Sequence, residues 1–129
     1  MNIFNRDARD RQKDHPIMIE SNLEDCFTSK KEILDTLAKK VHNWSETPRT
    51  WDPHKSMGEC WALLNDLTWP GSKNPMRWLV TNHDKKGYHC CIAAPYSSSW
   101  DIMVSHKNER CAIIYAVYLM IKDLERQDY

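Results

Sequence analysis

The chain reads as an α+β domain: an antiparallel β-hairpin or small sheet packed against helices, in αα-ββ(β)-α order. Three observations predict it. Two Ser-x-x-Glu pairs each open a stretch of helical apolar spacing, two short apolar runs flank a polar segment ending in glycine, and a long run late in the chain is apolar on almost every side.

Arg6 to Asp14 alternates in charge, has almost no apolar residue and is ended by Pro16. Residues 1–16 therefore read as a charged N-terminal arm, and 17–129 as a single α+β domain. Ile17-Met18-Ile19 fits either a short strand or an extended anchor on the core. The first helix starts near Ser29, where Ser29 and Glu32 form a capping box. Ile33, Leu34, Leu37, Ala38, Val41 and Trp44 supply its apolar stripe. Ser45 to Pro53 interrupts with two threonines and two prolines. A second capping box, Ser56 and Glu59, opens a helix with Met57, Cys60, Trp61, Leu64 and Leu67 on one face, closed before Trp69-Pro70-Gly71.

Trp78 to Thr81 and Tyr88 to Ala93 then read as the arms of a hairpin around Asn82–Gly87, with a third strand over Trp100 to Val104. The last helix spans Asn108 to Glu125, with Asn108 as N-cap and Glu109 in the first turn. Because it is apolar nearly all round, it is buried on two sides. Either it is the central core helix or its second face meets another subunit, and on that basis a homo-oligomer is expected.

At 129 residues the chain is long enough to bury a core without staples. The formal net charge is zero, which gives no global field to attract duplex nucleic acid or an anionic membrane. No stretch approaches the ~20 apolar residues of a membrane span. The first residues lack the apolar core of a signal peptide, so a cytoplasmic location is expected. The five cysteines fit no secreted disulfide framework and read as reduced thiols. The three glycines, Gly58, Gly71 and Gly87, are too few and too scattered for a phosphate loop.

An aromatic residue, a turn and a Trp-bearing helix occur at Trp51-Asp52-Pro53-His54-Lys55-Ser56-Met57-Gly58-Glu59-Cys60-Trp61-Ala62-Leu63-Leu64. The hairpin Trp78 to Ala93 follows, then the helix Glu109-Arg110-Cys111-Ala112-Ile113-Ile114-Tyr115-Ala116. Over about residues 50–125 this order resembles the phage ABA-sandwich domain family. The resemblance implies a small phage-encoded accessory protein, acting in the host cytoplasm by binding host or phage components, with a bacterial defence component as the expected target. It implies no catalytic set.

Read for chemistry, the residues favour binding over catalysis. His83, His89, Cys90 and Cys91, with His106 and Cys111 further on, contain no Cys-x-x-Cys spacer, and adjacent Cys90 and Cys91 point to opposite faces of a strand. No metal and no cofactor is expected. Cys111, in the first helical turn with His106 upstream, is the candidate nucleophile of a Cys- or zinc-dependent enzyme; the competing reading packs it in the core. The carboxylates are scattered, without a pair on one element. A small-ligand alternative places a phosphorylated nucleotide at the start of the last helix, with Trp51, Ser98, Trp100, His106, Lys107 and Arg110 as the ligand-binding set. A partner-binding set, Arg77, Trp78, Lys85 and Lys86, lies on the hairpin. The six tryptophans serve a core and an interface equally well. The leading expectation is a non-enzymatic protein that binds a host protein through exposed Trp residues around Trp51 and Trp100 and through the hairpin.

Overall fold

The structure, a computed structural model, describes residues 17–19, 30–83, 85 and 87–126. In chain order the elements are β1 (Ile17–Ile19), α1 (Lys30–Lys40), a 3-10 turn (Pro53–Lys55), α2 (Met57–Asp66), β2 (Arg77–His83), β3 (Gly87–Ala93), β4 (Ile102–His106) and α3 (Glu109–Arg126). The α+β class and the αα-ββ(β)-α order are as the sequence predicts. The arm 1–16 and the capping residue Ser29 lie outside the described residues.

The local reasons hold where they can be followed. Ser56 Oγ accepts the Glu59 N–H at 3.3 Å and opens α2. Asn108 Oδ1 accepts the Cys111 N–H at 3.0 Å and opens α3. α1 stops at Lys40, short of the predicted Trp44. Asn43, at φ 60°, turns the chain out of the helix, a conformation asparagine tolerates better than most residues. Ile33, Leu37 and Ala38 are the buried stripe of α1.

The sheet has the order β1-β4-β3-β2. β2, β3 and β4 are antiparallel, with Trp78 opposite Ile92, Val80 opposite Cys90, Cys90 opposite Val104 and Ile92 opposite Ile102. β1, the short strand the sequence offered at Ile17-Met18-Ile19, joins β4 in parallel and adds a parallel edge to the antiparallel sheet. The third strand lies two residues later than predicted. Trp100 and Asp101 stay outside it because the Asp101 carboxylate turns back to accept the Ala94 N–H at 2.9 Å.

One face of the sheet, with Ile92, Cys90, Ile102 and Val104, packs on α3. α3 in turn packs on α1, α2 and the 3-10 turn. It is the middle layer, which explains why so apolar a helix has Ala112, Ile113, Ile114, Ala116, Val117 and Met120 fully buried, while Cys111, Leu119 and Lys122 stay half-buried along one stripe. Most of its apolar surface is thus covered by the chain itself. Among the described residues no helix is long and apolar enough to cross a membrane.

Candidate functional site

The expected ligand set centres on the start of α3. Asn108 fills the cap there, its own N–H donates to His106 Nδ1 at 2.9 Å, and Glu109 adds a negative charge to the first turn. Arg110 does not face outward as an anion clamp. Its Nε donates to the carbonyl of His54 at 2.6 Å and ties the 3-10 turn to α3. Cys60 fastens the same turn to α2, its thiol donating to the Pro53 carbonyl at 3.1 Å. Within the turn, His54 Nδ1 lies 3.2 Å from Asp52 Oδ1, and Asp52 Oδ2 accepts from Lys30 Nζ at 3.0 Å. Burial pushes the His54 imidazole below its usual range, helped by the positive charge of Lys30 and opposed by Asp52. This is a polar clasp that ties the 3-10 turn to α1, α2 and α3.

The other members of the predicted ligand set are elsewhere. Ser98 and Trp100 sit in the β3–β4 loop, whereas His106 is the last residue of β4 and Lys107 follows it, at the far end of the strand. At ~3.3 Å per residue, the steps from Ile102 to His106 alone span roughly 13 Å. Trp51 is buried, its ring 5.3 Å from Trp44 and 5.7 Å from His42, so it anchors the α1–α2 connection. The nucleotide-binding constellation is therefore not assembled.

Burial acts on three of the described thiols. Burial drives the Cys60 thiol up to about 12 and raises Cys90 and Cys91 as well. Cys111 is half-buried. Among the described residues no group of three His, Cys, Asp or Glu side chains is placed to hold a metal ion.

The partner-binding set also divides. Arg77 and Trp78 open β2 while Lys85 lies past its other end, and Lys86 is outside the described residues. The Arg77–Trp78 end carries the more distinctive surface. Arg77 lies over the Trp100 ring, 5.3 Å from its centroid, and donates to the Ser97 carbonyl. Trp78 packs against Trp61 of α2 with ring centroids 5.6 Å apart, both rings partly exposed. Among the described residues the exposed large hydrophobic side chains are Trp78, Leu79 and Tyr96, all on or beside β2.

β2 is also an edge strand, and its free side can be worked out from the hydrogen bonds. Ile92 accepts the Asp101 N–H at 2.9 Å, so its backbone groups face β4. In an antiparallel pair successive residues alternate sides, so Cys91 and His89 face β2 and meet Leu79 and Thr81. Trp78, Val80 and Asn82 then present their N–H and C=O groups outward. Met76 has the same parity, and its N–H does point outward, to the Leu67 carbonyl at 3.0 Å. The segment around Leu67 closes the edge up to Met76, and from Trp78 onward no described strand pairs with it.

Of this surface, Arg77 and Trp78 are legible in the sequence, whereas Trp61, Leu79, Tyr96 and the outward backbone of Val80 and Asn82 are not. Strand order decides which strand is an edge, and no local pattern encodes it. No protein-family model matches the chain, and no curated protein or solved structure matches it either.

Proposed function

We propose that this protein is a non-enzymatic binding module that engages a protein partner by strand addition along β2. The observation that carries the reading is the open edge at Trp78, Val80 and Asn82, flanked by the exposed side chains of Trp78 and Leu79. Proteins usually blunt an exposed edge with proline, bulges or several charges. β2 has seven residues, no proline and a single Lys or Arg, Arg77. An edge of this kind offers main-chain hydrogen bonds for affinity and alternating side-chain positions for specificity. The engagement of Arg110 with the His54 carbonyl favours this reading over a nucleotide binder. The resemblance to the phage ABA-sandwich family supplies the biological setting: an accessory protein in the host cytoplasm whose partner is a host protein, with a defence component as the proposed target. That setting is supported by element order and the Trp and Ala positions alone.

The test is affinity purification from a bacterial lysate with the wild-type chain and with Asn82→Pro. Proline at an outward-facing N–H removes a donor from the free edge and leaves the β2–β3 ladder intact. A protein retained by the wild type and lost with the variant, and slowed amide exchange at Trp78, Val80 and Asn82 in the recovered complex, is the expected result. A partner held equally by both forms, with those amides unprotected, overturns the proposal.

A further inference from the structure

We infer that the strand β2 accepts belongs to an acidic segment, with an apolar side chain opposite Trp78 and a carboxylate opposite Arg77; the inference rests on the strand-addition reading. Residues 70–83 contain Lys73 and Arg77 and no aspartate or glutamate. Among the described residues neither cation forms an ion pair. The nearby Asp101 carboxylate accepts the Ala94 N–H, and Asp66 lies 2.8 Å from His42. Arg77 is held in place by the Ser97 carbonyl and the Trp100 ring, so its charge stands fixed beside the open edge. A pre-positioned guanidinium with donors to spare suits a carboxylate.

The register divides the demands between two faces. Trp78 and Val80 share the face of Ile92 and Cys90, where the Trp61–Trp78 pair makes an aromatic shelf. Arg77 and Leu79 lie on the opposite face. Residues of an added strand alternate in step, so the one paired with Trp78 lands on the shelf and its neighbour, paired with Arg77, lands by the guanidinium. The occupant is thus an extended segment in which an acidic residue adjoins an aromatic or aliphatic one.

The experiment is selection of a yeast-displayed library of random peptides, each of about 12 residues, with the full-length chain as bait. Wild-type protein, Asn82→Pro, Val80→Pro and Arg77→Glu are compared after matching near-ultraviolet circular dichroism shows that each is folded. The expected result is enrichment of acidic peptides with an adjacent apolar residue. Both proline variants lose them, and Arg77→Glu weakens them roughly tenfold. Edge-dependent peptides without acidic bias, bound equally by Arg77→Glu, overturn the acidic assignment and leave strand addition standing. Failure to recover any peptide that both proline variants lose overturns both. A wild-type dimer that Asn82→Pro converts to monomer assigns the edge to a second copy and overturns the acidic partner. If one proline variant fails to fold, the other carries the comparison.

Discussion

The guanidinium of Arg110 and the backbone carbonyl of His54 are joined by a 2.6 Å hydrogen bond across more than fifty residues of sequence. It links the first turn of α3 to the 3-10 turn ahead of α2, so a residue that sequence alone offers as an anion ligand acts as a tie. Arg110→Met keeps the aliphatic stem and removes the donor. A bond from a charged group contributes about 1.5–3 kcal/mol, and that loss should appear as a lower urea midpoint at unchanged m-value. A mutant midpoint equal to that of the wild type would show the tie to be dispensable.

The same geometry bears on nucleotides. With Arg110 engaged and with Ser98 and Trp100 at the other end of β4, millimolar ATP or ADP should leave the thermal midpoint unchanged. An increase of several degrees that Lys107→Ala abolishes would reinstate a phosphate site at α3.

His54 makes the clasp sensitive to pH. Its folded-state pKa is depressed below the ordinary 6.5, chiefly by burial and next by Lys30. The unfolded chain therefore binds more protons than the folded one between the depressed value and about 6.5. Its contribution to stability is complete above pH 6.5 and is lost as pH falls through the folded-state value. Urea midpoints measured from pH 7.5 down to 5 should decline, and His54→Gln should flatten that part of the curve. An identical decline in the variant would assign the effect to other groups.

Gly87 combines a φ of 86° with a close approach of the β4–α3 corner: a Cβ there would lie 2.5 Å from the His106 carbonyl oxygen. Gly87→Ala meets both a strained backbone and a clash with main chain that has little room to yield. The expected cost is at least about 1–3 kcal/mol, read by chemical denaturation. Gly71, also at positive φ, has open space where a Cβ would stand, with nothing within 4 Å, so its alanine variant should be affected less.

Thiol chemistry gives a further check. With its pKa at about 12, Cys60 is thiolate in fewer than about one molecule in ten thousand at pH 7.5, and burial shields it further. Mass spectrometry after brief iodoacetamide treatment should find Cys60 and Cys90 unmodified in the native protein and modified in urea. Rapid native labelling of Cys60 would contradict the packing around the 3-10 turn.

Local signals are readable in this chain and long-range ones are not. The caps at Ser56 and Asn108 follow from short-range chemistry, and both occur as read. The all-round apolarity of α3 announces two buried sides, but periodicity does not say whether the second lies against this chain or another. Trp51 and Trp78 illustrate the same limit for sites. Both are tryptophans beside turns, yet one is boxed in by Trp44 and His42 while the other stands at an edge 37% exposed. The difference depends on which elements pack next to them. Ser98 and Lys107 look like neighbours because few residues separate them, and an extended strand turns that short interval into distance.

The central position of α3 has a consequence for how the protein is made. Every other described element precedes it in the chain, and β3, β4, α1 and α2 all pack against it. On the ribosome, the sheet and the two earlier helices emerge with their apolar faces turned toward a partner that has yet to be translated. The nascent chain therefore stays open until its last helix appears, and during that interval the surfaces destined for α3 are the ones a chaperone would cover.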